Sequence, residues 1–339
     1  MPFTPEAAIS AQADLHHQYL LGLQLMVSAR KGPAVIGDWM FRLFRRQHQA
    51  KFLSSLRKLG LGGLPDAVAC ARYHVLSNSI GGVAVEYMEE GPRKAWVRFR
   101  YPRWMYHGPA ICGIPVEASR GFLNGWYAQN GVSLGNPRLG FVCVSEDMTS
   151  QFGLCGYFME YDHDLAPEDR LRFASDERPP PYEPAAQPVP PADQWDPARL
   201  AKAGRNYAVD FVQNGLVTLS AAIGDDEATA LAAEAARLTG LQAWRSMSDA
   251  VDSKDGGPGE AALLLERMFI GIGDSVERDA AIIKQSGLRI LKDVEADHLK
   301  AVLTPWIELW RGAVHAHRNF MDLDVDYRDD QLIWTVRPA

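Results

Sequence analysis

Residues 121–161 read GFLNGWYAQNGVSLGNPRLGFVCVSEDMTSQFGLCGYFMEY, which is the end of a helix, a strand, a polar turn and a second strand. The spacing predicts a helix from Pro115 to about Asn130, with Pro115 suited to a first helical turn and Gly131 to the stop. LGFVCV and LCGYFMEY then read as strands, rich in β-branched and aromatic residues. The wider stretch Tyr101–His163 holds three of the four cysteines (Cys112, Cys143, Cys155) and two of the nine histidines (His107, His163) among many Trp, Tyr and Asn. Polar groups set among aromatics are the usual lining of a small-molecule site.

Upstream, Leu15, Tyr19, Leu23 and Met26 fall at helical spacing, and Gly32-Pro33 ends that helix. His16 and His17 point about 100° apart on it and are assigned to solvent. A second helix runs from Ala34 to Leu59, its cluster Arg42, Arg45, Arg46, His48 and Lys51 marking a wet face. VACARYHVL, GGVAVEYMEE and KAWVRFRYP follow as strands, the last two separated by a turn at Gly91-Pro92. From Pro167 to Pro197 the chain is too rich in proline for a helix or a central strand, and is expected to be an extended connector.

Beyond the connector the order repeats. Asn206–Ala222 and Glu227–Ser246 read as helices, Leu263–Gly273 as a mixed apolar segment, and Ala281–Val294 as holding a short strand. A helix beginning at Thr304-Pro305 and two strands, DLDVDY and QLIWTVR, close the chain. At one constant offset Phe122 meets Trp306, Leu123 meets Ile307, Trp126 meets Trp310, Leu139 meets Leu323 and Phe141 meets Val325. Self-similarity of this kind points to two copies of one unit. The expected fold class is α+β, with two tandem, similar units of helices packed on antiparallel sheet. Residues 1–163 are expected to form the first unit, 164–199 the Pro-rich connector and 200–339 the second, an internal duplication of the first read from those pairs.

Composition narrows the function. The 339 residues exceed the roughly 150 of a typical domain, consistent with two. A net charge of -7 leaves no basic field for nucleic acid or anionic lipid. No run of about 18 apolar residues is present, so no membrane partner is expected. The first residues lack the charged and apolar regions of a secretory signal, and the four cysteines include no CxxC pair, so a reduced cytoplasmic protein is expected. The absence of GxGxxG after a strand, of a P-loop, of HExxH and of GxSxG argues against nucleotide-dependent chemistry and standard serine hydrolysis.

Three groups of residues could carry chemistry. In WMYHGPAIC, Trp104, Tyr106, His107 and Cys112 bring an imidazole and a thiol to either side of Gly108-Pro109, a nucleophile and its base if they meet. At the end of LCGYFMEYDH, Tyr157 shares a face with Tyr161, and Glu160 shares the other with Phe158; an interior Glu160 would suit a general acid or base. His315 and His317 are two apart near a helix end, a poor metal pair, and are read as structural. Catalysis is thus expected from His107, Glu160, Cys112 and Tyr106. Substrate would be held by Trp104, Trp126, Tyr127, Asn130, Tyr157, His74 (placed mid-strand) and Arg100. No cofactor is expected, while a transition metal and a homodimer stay open.

The tail from Gly121 to Tyr161, with Cys155 late in the second strand, resembles the end of domains in the 4-vinyl reductase and L-2-amino-thiazoline-4-carboxylic acid hydrolase group. That group's turn carries Gly-Asp-x-x-Cys, where this chain has Gly153-Leu154-Cys155. The resemblance implies either hydrolysis of a C–N bond, or a related lyase or decarboxylation step, on a small carboxylated or aromatic substrate. The alternative it implies is a non-catalytic small-ligand-binding or dimerisation module. Convergence of His107 and Glu160 in one pocket would separate the two.

Overall fold

The computed structural model describes residues 3–148, 151–190 and 195–339. Pro191 of the expected connector lies outside them. The chain forms two compact units, one continuous over Val27–Leu200 and one split between Met1–Met26 and Ala201–Ala339. The first 26 residues are thus counted with the second half of the chain, a division the hydrophobic pattern alone does not reveal.

Helix α1 (Pro5–Lys31) is followed by α2 (Pro33–Lys58), α3 (Asp66–Ile80), strands β1 (Val85–Gly91) and β2 (Lys94–Phe99), and short 3₁₀ turns at Trp104–Tyr106 and Gly108–Cys112. Then come α4 (Val116–Gly125), α5 (Asn130–Leu134), β3 (Leu139–Ser145), β4 (Cys155–Glu160) and β5 (Leu171–Phe173). The second half runs α6 (Pro197–Ile223), α7 (Asp225–Ala250), α8 (Pro258–Ile272), β6 (Ser275–Asp279), β7 (Ile282–Ser286), α9 (Leu299–His315), β8 (Met321–Arg328) and β9 (Gln331–Pro338). Paired helices match in length: α1 and α6 have 27 residues, α2 and α7 have 26, α3 and α8 have 15. The sheets match too, β1-β2-β4-β3-β5 against β6-β7-β9-β8. Equivalent glycines make the first break, Gly32 at φ 80° and Gly224 at φ 87°, a region that disfavours any residue with a Cβ.

Three expectations need correction. VACARYHVL is helix α3, buried nearly all round, so its β-branched and aromatic residues carry neither a strand nor an amphipathic period. The helix expected over 115–130 breaks after Gly125 and restarts at Asn130. The mixed apolar segment is α8, closed by Gly273 in the left-handed conformation.

In each unit the helix between the two hairpins packs tightly on the long helix before it. In the continuous unit a Cβ on Gly121 would collide with the carbonyl of Gly37, and one on Gly125 would lie 2.5 Å from that of Phe41. In the split unit Gly240 and Gly312 make the same close approach, against Leu309 and Arg237. N-terminal residues of α1 complete the split unit: Gln12 donates to the carbonyl of Met268 at 2.6 Å and Tyr19 to that of Ala232 at 3.0 Å.

The proline-rich segment has a structural task inside the continuous unit. After the edge strand β5, parallel to β3, it runs across the outer face of the first sheet. There Trp96, Val142 and Tyr157 form a buried cluster with Ala174 packed on it. Glu177 accepts from the Tyr157 hydroxyl at 2.7 Å, and Lys94 lies 4.2 Å above the Tyr157 ring. The Gln187 side chain imitates a neighbouring strand, accepting from the Tyr87 N–H at 2.9 Å and donating to the Tyr87 carbonyl at 2.8 Å, which blunts the β1 edge. With helices on one face and this segment on the other, every residue of β3 is buried.

Replacing Gly125 with Ala should force α4 off α2 and lower stability by about 1–3 kcal/mol, as overpacking does. A chemical-denaturation midpoint unchanged from wild type would refute this packing.

Candidate functional site

The polar groups that converge in the continuous unit come from three helices. α2 brings Arg45 and His48, α3 brings His74, and the break between α4 and α5 brings Trp126, Tyr127 and Asn130. Asparagine competes poorly inside a helix and well at its ends, so it suits the restart at α5. Arg45 Nη1 lies 3.0 Å from His48 Nδ1, His48 Nε2 lies 3.2 Å from Asn130 Oδ1, and Asn130 Nδ2 lies 3.0 Å from His74 Nε2.

The proton positions follow from the first contact. A guanidinium only donates, so His48 Nδ1 accepts and Nε2 carries the proton. That proton is donated to Asn130 Oδ1, and the Asn130 amide then donates to His74 Nε2, leaving the His74 proton on Nδ1. Both rings are neutral. Burial, then the nearby Arg45 charge, lowers His48 to about 4 against an opposing contribution from Asn130. Burial, then His48, holds His74 well below the ordinary imidazole range. Burial also pushes the Cys70 thiol up.

Aromatic rings enclose the chain. His74 stacks on Tyr127 at 3.9 Å and on Phe158 at 5.5 Å, and His48 stacks on Phe52 at 4.8 Å. Trp126 stands edge-on to both imidazoles, at 5.6 and 6.2 Å, and its buried Nε1–H has no acceptor among the described residues. Counted along the matched helices, the positions equivalent to His48 and His74 are Gly240 and Glu266; Glu266 is ion-paired with Arg278 at 2.7 Å. The histidine–asparagine chain is therefore peculiar to the continuous unit.

The remaining expected site residues are dispersed. His107, between the two 3₁₀ turns, and Cys112, at the end of the second, are exposed. These turns follow Phe99, whose N–H bonds the Leu154 carbonyl, while the N–H of Glu160 bonds the Arg93 carbonyl at the other end of β2. Strand rise puts those ends about 17 Å apart. Glu160 is engaged by Arg138 at 3.0 Å. His107 and Glu160 therefore do not form the expected acid–base pair. Tyr157 faces the outer cluster, Trp104 is half-buried, and Arg100 is exposed 3.5 Å from Glu86.

Tyr106 belongs to a second, structural cluster. Asp147 accepts from the hydroxyl of Tyr101, from Ser119 at 2.7 Å and from Arg103 at 2.8 Å, and the Arg103 guanidinium lies 4.2 Å from the Phe99 ring centre and 5.3 Å from that of Tyr106. Burial, then the Asp147 charge, raises the Tyr106 phenol. Every oxygen of this carboxylate is taken, which is what a buried ion pair needs to be tolerated.

Two expectations about histidines fail. His48 is buried, not part of a wet face; it continues the four-residue stripe Met40, Phe44, Phe52, the signal that could have placed it inside. His16 is also buried and is lowered to about 4 by burial, and it donates from Nδ1 to the Gln12 carbonyl at 2.7 Å. Among the described residues no group of three or more His, Cys, Asp or Glu could hold a metal ion, and no helix is long and apolar enough to cross a membrane. No family model, curated protein or solved structure matches the chain.

Asn130→Leu would strand one donor and one acceptor on the two imidazoles and should cost about 2–4 kcal/mol in denaturant unfolding; a neutral effect would refute the chain. Below pH 6.5 the unfolded protein binds a proton at His48 that the folded protein refuses until about pH 4. Stability from this group is therefore full above pH 6.5 and falls as the pH drops through that window. The stability gap between wild type and His48→Gln should shrink by about 1–3 kcal/mol from pH 7 to pH 4.5. A pH-independent gap would contradict a neutral, buried His48.

Proposed function

We propose that the continuous unit is a non-catalytic module that binds a small aromatic or carboxylated molecule, with Trp126 and the neutral His48–Asn130–His74 chain as its recognition element. The observation that carries this reading is the separation of His107 from Glu160, set beside the mutual saturation of the polar groups that do converge. Acid–base catalysis needs a group free to take up and release a proton near neutral pH, whereas these imidazoles are held neutral and already paired. The unused indole N–H of Trp126 supplies a donor for a carboxylate or carbonyl oxygen, and the flanking rings supply an apolar wall. The resemblance to the 4-vinyl reductase group, which includes ligand-binding modules, supports the same reading. Four free thiols support a reducing, cytoplasmic setting.

A second reading, hydrolysis of a C–N bond, draws on one observation. His107 and Cys112 are both open to solvent on neighbouring turns, where a thiol and its base could meet a substrate.

The test is calorimetric titration with benzoate, 4-vinylphenol and 2-amino-thiazoline-4-carboxylate, with product analysis of the same mixtures. Saturable binding without turnover is expected for at least one compound, weakened about tenfold by Trp126→Phe, the loss of one hydrogen bond to a charged group, and unchanged by His107→Ala. Turnover abolished by His107→Ala or Cys112→Ala would overturn the binding-module reading in favour of the enzyme.

A further inference from the structure

The split unit contains a cleft of about 310 Å³ between the last turn of α7, residues 251–257 and the segment after α9. Its walls carry charges of both signs, Arg245 and Asp249 on α7, Asp255 on the loop and Arg318 after α9, and Trp244 also lines it. The pairings within it are partial. Arg318 Nε lies 3.0 Å from Asp255, while Arg245 and Asp249 are 3.8 Å apart and largely exposed.

Beside this cleft lies an unsatisfied donor. His317 is 2% exposed and packs edge-on to Trp244 at 5.2 Å. Its Nδ1 accepts the N–H of Asn319 at 3.1 Å, so the proton of the neutral ring sits on Nε2, which has no acceptor among the described residues. A buried donor without a partner is costly and calls for an oxygen. The bordering segments also hold non-glycine residues in the left-handed region, Asp252 at φ 53° and Phe320 at φ 52°. Phe320 is 79% exposed, an aromatic ring open to water. Strain of this kind persists where surrounding structure imposes it, commonly at binding sites.

The shared architecture does not require these residues. Counted along the matched helices, Trp244, Arg245 and Asp249 stand where α2 has Phe52, Leu53 and Arg57. The charge pattern is specific to this copy.

We propose that this cleft binds a free α-amino acid with an apolar or aromatic side chain, in its zwitterionic form. The ligand carboxylate would take the His317 Nε2–H and the guanidinium of Arg318; the ammonium would lie against Asp249 and Asp255; the side chain would cover the exposed Phe320 ring. Two opposite charges carried by groups on one carbon match walls of both signs, whereas a simple anion would meet the two carboxylates. This site is independent of the one in the continuous unit.

The probe is L-phenylalanine, titrated calorimetrically into the full chain, with N-acetyl-L-phenylalanine and L-phenylalanine methyl ester as analogues lacking one charge each. Saturable binding of the free amino acid is expected, at least tenfold tighter than either analogue. Arg318→Gln, an exposed change that should leave the thermal midpoint in place, should weaken it at least tenfold, as should His317→Phe. The proposal is overturned if millimolar L-phenylalanine gives no saturable heat, if the three probes bind alike, or if Arg318→Gln binds as wild type does.

Discussion

A guanidinium cannot accept a hydrogen bond, and this one constraint orders the centre of the continuous unit. Arg45 fixes the tautomer of His48, which fixes the orientation of the Asn130 amide, which fixes the tautomer of His74. Because the links come from α2, the start of α5 and α3 in turn, the chain ties three helices together by direction as well as by contact. Reversing any one amide or ring would set two donors or two acceptors face to face in a buried, low-dielectric setting, where a polar mismatch is most costly.

Around this centre the two units share one scaffold and differ in what fills it. Both bring a late helix against an earlier one through glycines, and both order their strands alike. Only the continuous unit adds the histidine–asparagine chain and a proline-rich segment over the far side of its sheet. A sheet covered on both faces is dry, and burial of this kind keeps imidazoles neutral. The split unit leaves β6 largely exposed and carries its charged groups at the far end of α7.

Much of this was legible in the sequence. Period, turn residues and the pairing of Trp126 with Trp310 yield the α+β class and the repeated order of elements. His74, Tyr127, Trp126 and Asn130 were singled out by type, and the fold brings these four together. The failures have physical causes. A helix buried on all sides, such as α3, has no polar stripe to reveal its period. His48 was hidden because neighbouring arginines on α2 dominate a charge count, although its spacing from Phe44 and Phe52 places it on the apolar stripe. The separation of His107 from Glu160 depends on strand register, which the paired residues of β2 and β4 settle and their composition does not. The proline-rich stretch reads as a tether from composition, yet its Glu177 and Gln187 anchor it to a sheet that local pattern cannot show to be uncovered.

The functional reading rests on two imidazoles that stay neutral and keep fixed tautomers. Long-range nitrogen–proton correlation spectra of ¹⁵N-histidine-labelled protein observe this directly, because protonated and bare ring nitrogens resonate far apart. The account predicts His48 with its proton on Nε2 and His74 with its proton on Nδ1, and neither ring titrating between pH 7.5 and 5. Finding either ring titrating near the ordinary imidazole value of about 6.5, or His48 protonated on Nδ1, would contradict it.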